Sequence, residues 1–209
     1  MSDRATGRTG RLRGTDLAIL VWLALYVPAY AQAYGGWHFL QLCNLGVLMA
    51  CAGALLRRPL LWSSTALLSV PVGALWLADV VLRLCSGHFL HRGTAYLWND
   101  TIPWPARLLS LYHVILPAIL LVALRRRGYD PRAFAFLCII SGLACLLGLW
   151  AAPAADNLNY MQHWPGGRTL SATPLLHGAA TWALLCVVLL WPMHRLCLLC
   201  FPRPLHDAP

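Results

Sequence analysis

The sequence predicts an all-α integral membrane protein: a bundle of six transmembrane helices with both termini in the cytoplasm. Three observations carry this expectation. Hydrophobic residues make up 59% of the 209-residue chain and charged residues 11%, with a mean hydropathy of +0.62. A soluble domain is about 45–50% apolar and about 25% charged. Apolar stretches of spanning length recur from one end of the chain to the other, and the basic residues gather at alternate gaps between them.

A spanning helix needs roughly 20 mostly apolar residues. Six runs meet this, at about 16–34, 37–56, 60–84, 104–124, 133–152 and 170–199. They divide the chain into a basic tail (1–15), a transmembrane domain (16–200) and a second short tail (201–209). The first run follows Arg4, Arg8, Arg11 and Arg13 and resembles a signal peptide. It is too long for that apolar region, carries Pro28 and precedes no clear cleavage site, so it reads as a retained helix. The second run opens at Trp37 and carries Cys43 and Asn44. The third carries Asp79 and Arg83, the fourth His113 and Pro117, and the sixth Pro174 and His177.

Orientation follows from the arginines. All 16 basic residues are Arg and all 7 acids are Asp, with a formal net charge of +9. The N-terminal four, Arg57, Arg58, Arg125, Arg126, Arg127, Arg132, Arg195 and Arg203 fall on one side of a six-helix arrangement. Arg83, Arg92, Arg107 and Arg168 fall on the other. This bias of twelve to four places both ends inside by the positive-inside rule. In so apolar a chain the positive charge signals topology and anionic head groups. Nucleic-acid binding is disfavoured, because the arginines follow helix ends instead of forming one basic face. The absence of Lys and Glu excludes a lysine nucleophile and a glutamate base. The outer side holds two longer loops, about 85–103 and 153–169, with Trp37, Trp98, Trp104 and Trp164 at the boundary that amphipathic rings prefer.

Ionisable groups within a membrane are costly and are candidates for function. Counted inward at 1.5 Å per residue, Cys43, Asn44, His113 and His177 lie roughly 9–14 Å below the outer ends of their helices, and Asp79 about 8 Å below its own. This common layer predicts a polar pocket in the outer leaflet. Each member also has a plainer use. Asp79 and Arg83 stand at i,i+4, where side chains meet, and can simply neutralise each other. His113 and His177 can join helices by hydrogen bonds. A Cys packs as a small hydrophobe. Pro117 frees the carbonyl of His113 from its helical partner, and Pro174 does the same for Leu170.

A Cys and a His in mutual reach form a nucleophile and base, the thiolate attacking an acyl carbonyl. Asp79 would orient the imidazole, as the third member of a triad does, and Asn44 would donate to the oxyanion. Ser110 and Thr173, near the same level, compete as nucleophiles. His177, Arg83, Asn157, Asn159 and Trp164 are candidates for substrate contact around the pocket mouth.

Two stretches carry a family likeness. His38-Phe39-Leu40-Gln41-Leu42-Cys43-Asn44-Leu45 and Ser110-Leu111-Tyr112-His113-Val114-Ile115-Leu116-Pro117 resemble the bacterial YwaF-like integral membrane proteins. They also resemble the related eukaryotic transmembrane acyltransferases and, more distantly, the androgen-induced fatty-acid-ester hydrolases. The resemblance implies intramembrane acyl transfer or ester hydrolysis on lipids, with Cys43 as nucleophile and His113 as base. An acid often follows the cysteine in the bacterial pattern; here that position is Asn44.

Other motifs carry less. Cys197 and Cys200 form a lone C-x-x-C at a helix end. His88, His91 and His163 make an incomplete ligand set for zinc, which needs three or four. Only His113 with His177 could pair for haem. The expected protein is therefore an acyltransferase or lipid hydrolase in the inner membrane of a bacterium, acting on membrane lipids or an acylated substrate without metal or cofactor. A non-catalytic assembly or binding protein and a haem or redox protein are the alternatives.

Overall fold

The computed structural model describes residues 14–202, all of them in helices, turns and loops with no strand. The arginines at positions 4, 8, 11, 13 and 203 and most of both tails lie outside the described residues. Five helical stretches are long and apolar enough to cross a membrane: Gly14–Tyr34, Pro59–Ser86, Trp104–Arg127, Ala133–Ala151 and Pro174–Cys200.

Helix α1 (Gly14–Tyr34) presents Tyr26, Tyr30 and Tyr34, one turn apart, to the bundle and leaves most of its other apolar side chains exposed. That is the pattern of a helix with lipid on most sides. Its first turn is tied down by Asp16, which pairs with Arg57 at 2.9 Å.

The second expected span is shorter than its apolar run. Gly35 takes a left-handed φ of 91°, a 3₁₀ turn covers Gly36–Leu40, and Gln41 is extended. Helix α2 (Leu42–Leu55) therefore has only 14 residues, a rise of about 21 Å against a hydrocarbon core of about 30 Å. It is the innermost helix: Leu42, Asn44, Gly46, Val47, Met49, Ala50 and Gly53 are buried.

Helix α3 (Pro59–Ser86) is the central column, packing on α2, α5 and α6. Proline at its first position and left-handed Gly87 after its last mark its ends, the asymmetry expected of the two residues. The fourth span is broken at Ser110–Leu111 into α4 (Trp104–Leu109) and α5 (Tyr112–Arg127). Helix α6 (Ala133–Ala151) closes the apolar core through Leu137, Ala144 and Cys145.

The last span starts at Pro174, four residues later than its apolar run. It comprises α7 (Pro174–Leu184), a π-helical turn (Leu185–Leu190) and α8 (Trp191–Cys200). Pro192, second in α8, has no N–H to continue the α ladder, which accounts for the widened turn before it. Cys197 is buried in the core and Cys200 exposed, both as free thiols. The C-x-x-C therefore faces two environments.

Among the described residues, several arginines cluster at the two ends of α3. Arg57 meets Asp16, and Arg58, Arg127 and Arg132 share one pocket. At the opposite end Arg83 lies over the Phe89 ring and Arg107 bonds the Leu97 carbonyl.

Candidate functional site

Cys43 and His113 line one cavity. Cys43 comes from the first turn of α2, Tyr112 and His113 from the first turn of α5, and Leu68, Ser69 and Val72 from the middle of α3. The cavity measures about 10 Å³, about the room of one water. Both Cys43 and His113 are only partly buried, so the site lies near the bundle surface.

The break before α5 sets the imidazole. Nδ1 of His113 lies 2.9 Å from the carbonyl oxygen of Ser110. A carbonyl only accepts, so Nδ1 carries the proton and the neutral ring keeps its lone pair on Nε2. The ring stacks on Trp76, with centroids 5.3 Å apart and planes at 1°, and on Tyr112 at 4.2 Å. Trp76 in turn donates through Nε1 to the Tyr96 hydroxyl at 2.9 Å. Ser110, buried, engages Tyr96 with its side chain, and Thr173 is exposed at the start of α7. Neither competing nucleophile lines the cavity.

Asn44 is adjacent but faces differently from the sequence expectation. Its Nδ2 donates to the His38 carbonyl at 2.7 Å, which fixes the orientation of the amide. Its Oδ1 accepts from the Tyr112 hydroxyl at 2.6 Å and the Tyr26 hydroxyl at 3.1 Å. The end of the amide nearest Cys43 is thus an acceptor, with Oδ1 4.0 Å from Sγ. An acceptor cannot stabilise an oxyanion. The Tyr112 hydroxyl gives its one proton to Asn44 Oδ1 and also interacts with the Cys43 thiol.

Asp79 does not orient His113. Its Oδ1 accepts from the backbone N–H of Leu90 (2.6 Å) and His91 (2.9 Å), and its Oδ2 from the N–H (3.0 Å) and hydroxyl (2.6 Å) of Thr94. The buried carboxylate is the anchor of the first outer loop. It does not pair with Arg83 either. Arg83 bonds the Gly87 carbonyl and lies over the rings of Phe89 and Trp98. Spacing on α3 brings Asp79 to the right depth, but four loop donors claim it first.

The remaining candidates organise the second outer loop. His177 accepts from the Leu170 N–H at 3.0 Å through Nδ1 and meets the Tyr160 carbonyl at 3.1 Å through Nε2. Both nitrogens are engaged, which removes it as a partner for His113 in binding haem. Asn157, with a left-handed φ of 42°, accepts from the N–H groups of Gln162 and His163. Trp164 donates to Thr181 Oγ1 at 3.1 Å. Asn159 reaches furthest. Its Oδ1 accepts from the Leu42 N–H at 2.8 Å and its Nδ2 donates to the Leu40 carbonyl at 3.0 Å. It therefore caps α2 and fixes the backbone just before Cys43.

No protein-family model, curated protein or solved structure matches the chain. Among the described residues no group of three or more His, Cys, Asp or Glu side chains has the arrangement of a metal site; His91 Nδ1 is instead taken up by the Gly93 N–H. The residues that sequence reasoning missed are aromatic: Tyr112, Tyr26 and Trp76. Tyr26, Tyr30 and Tyr34 recur every four residues along the first run, a helical face legible in the sequence.

Proposed function

We propose that this protein is a bacterial inner-membrane enzyme, with its arginine-rich end in the cytoplasm, that transfers or hydrolyses a fatty acyl group through Cys43 and His113. The observation that carries this reading is the shared cavity: a thiol and an imidazole on different helices face the same small space. The hydrogen bond to Ser110 leaves Nε2 of His113 as a base. Nε2 takes the thiol proton within this shared cavity. The thiolate attacks the acyl carbonyl, and the C–O bond to the alcohol breaks as the thioester forms. The alcohol leaves with the proton held on His113. Water or a second alcohol then attacks the thioester, and the thiol is regenerated. The Tyr112 hydroxyl, bonded to Asn44 in the resting site, turns its one proton to the oxyanion in both steps. The likeness of the two stretches around Cys43 and His113 to the YwaF-like proteins and their acyltransferase relatives supports the same chemistry.

The test is turnover of labelled phospholipid by membranes containing the wild-type chain, Cys43→Ala or His113→Ala. Loss of turnover in both is expected, and full activity in either overturns the pair. A second reading, a non-catalytic assembly or binding protein, is favoured by the closed Tyr26–Asn44–Tyr112 network, a bundle contact in its own right. Under it both variants are silent and an acyl-cysteine probe labels nothing.

A further inference from the structure

A second, larger cavity lies at the arginine-rich end of the bundle, away from Cys43. It measures about 580 Å³ and is lined by Arg58, Arg127 and Arg132 with Asp130, Leu60 and Leu61. Arg127 ends α5, while Arg58 and Arg132 stand just before α3 and α6, and two of the three guanidinium groups are held by neighbours. Arg132 grips the buried carboxylate of Asp130 through two hydrogen bonds, Nε to Oδ1 at 3.1 Å and Nη2 to Oδ2 at 2.9 Å. Arg127 lies over the Trp62 ring at 4.4 Å. Arg58 precedes Pro59, where α3 begins without a side-chain cap. The floor at Leu60 and Leu61 is therefore the first turn of α3, and Asp130 and Arg132 stand immediately before α6. Two long helices thus direct their N-terminal, positive ends to this region, which favours an anion.

Three guanidiniums against one carboxylate, an apolar floor and two helix starts describe a receptor for a phosphate-bearing group. Arginine forks match phosphate oxygens in pairs, and basic pockets between helix ends are suited to anionic head groups. We propose that this pocket binds a phosphate group at the arginine-rich end of the bundle. This site is independent of the chemistry assigned to Cys43 and His113. The phosphate comes either from an anionic lipid or from a soluble phosphate.

Binding is measured on the purified full-length protein in neutral detergent, by native mass spectrometry and thermal unfolding. The probes are phosphatidylglycerol, phosphatidylcholine and inorganic phosphate. Saturable binding of phosphatidylglycerol in preference to phosphatidylcholine is expected. It should weaken about tenfold or more in Arg58→Gln/Arg127→Gln and stay unchanged in Arg125→Gln/Arg126→Gln, which removes equal charge outside the pocket. Phosphatidylglycerol binding that millimolar inorganic phosphate does not displace assigns a lipid head group. Stabilisation by inorganic phosphate, with competition against the lipid or without lipid binding, assigns a soluble phosphate. Equal weakening in both double variants, equal binding of the two lipids without an effect of phosphate, or no binding at all overturns the proposal. A photoactivatable phosphatidylglycerol on the wild-type protein tests the lipid arm without variants. Crosslinks should fall on residues 58–61 and 127–132, and crosslinks elsewhere overturn the lipid assignment.

Discussion

Gly73 of α3 lies directly against the main-chain carbonyl of His113 on α5. A Cβ at this position would collide with that carbonyl oxygen and stand 2.8 Å from Pro117 Cγ. The contact joins three features of the chain. Pro117 frees the His113 carbonyl from its helical bond, the missing side chain of Gly73 lets α3 approach it, and the resulting close crossing walls the cavity at Cys43.

Gly73→Ala is therefore expected to push α5 away from α3. Overpacking of a tight contact costs about 1–3 kcal/mol, and the displaced His113 should lose its place opposite Cys43. Thermal unfolding in detergent and lipid turnover should both fall. Gly36→Ala is the control, because nothing lies within 4 Å of a Cβ there. Equal behaviour of the two variants would show that the close crossing is unimportant.

The polar network around Asn44 makes a second prediction. Asn44→Ala strands the Tyr26 and Tyr112 hydroxyls and the His38 carbonyl, each of which now bonds the amide. A buried polar group left without its partner costs about 1–3 kcal/mol, so this variant should be clearly destabilised. Tyr112→Phe removes one hydroxyl and leaves the amide bonded to Tyr26 and His38. It should lose about 1 kcal/mol while its turnover falls further than its stability, if the hydroxyl donates to the oxyanion. Parallel losses of stability and turnover in Tyr112→Phe would reduce Tyr112 to a packing residue.

These cases show what could be read from the chain and what could not. Composition and hydropathy were sufficient for an all-helical chain of apolar spans, because burial in lipid demands length and apolarity along a continuous run. Depth counting brought Cys43 and His113 to one level, where they do share a cavity. It failed for Asp79 and His177 because depth on a helix does not say which way a side chain turns or which loop folds over it. Apart from the Thr94 hydroxyl, their partners at Leu90, His91, Thr94, Leu170 and Tyr160 are backbone groups of loop residues, which any sequence could offer. The shortening of α2 was hidden for a related reason. The run 37–56 is mostly apolar, but left-handed Gly35 admits a 3₁₀ turn and Asn159, far along the chain, fixes its junction with the helix.

Asp79 yields a prediction that separates anchoring from catalysis. Asp79→Asn keeps the shape but sets an amide NH₂ against donors that now bond a carboxylate oxygen. Hydrogen bonds to charged groups contribute about 1.5–3 kcal/mol, so the loop spanning 87–98 should loosen. Limited proteolysis should cut this loop faster than in the wild-type protein. The turnover of intact Asp79→Asn protein should keep the wild-type dependence on pH, because the carboxylate makes no bond to His113. A displaced pH profile would return Asp79 to the role of orienting the imidazole.

Asn159 tests how the two halves of the chain cooperate at the thiol. Its amide satisfies the Leu42 N–H and the Leu40 carbonyl together, one residue from Cys43 on the nearer side. Asn159→Ala should cost about 1 kcal/mol, as loss of a helix cap does, and should free the first turn of α2 to fray. Fraying exposes the partly buried Cys43 thiol, so its alkylation by a small maleimide should accelerate, while that of the exposed Cys200 should not change. Asn159→Asp keeps the acceptor for Leu42 but turns a carboxylate oxygen toward the Leu40 carbonyl. Repulsion between the two oxygens should make this variant less stable than Asn159→Ala despite its closer shape. If Asn159→Asp is instead the better tolerated, the Leu42 N–H alone sets the start of α2, and the bond to Leu40 has no part in holding Cys43 at the cavity.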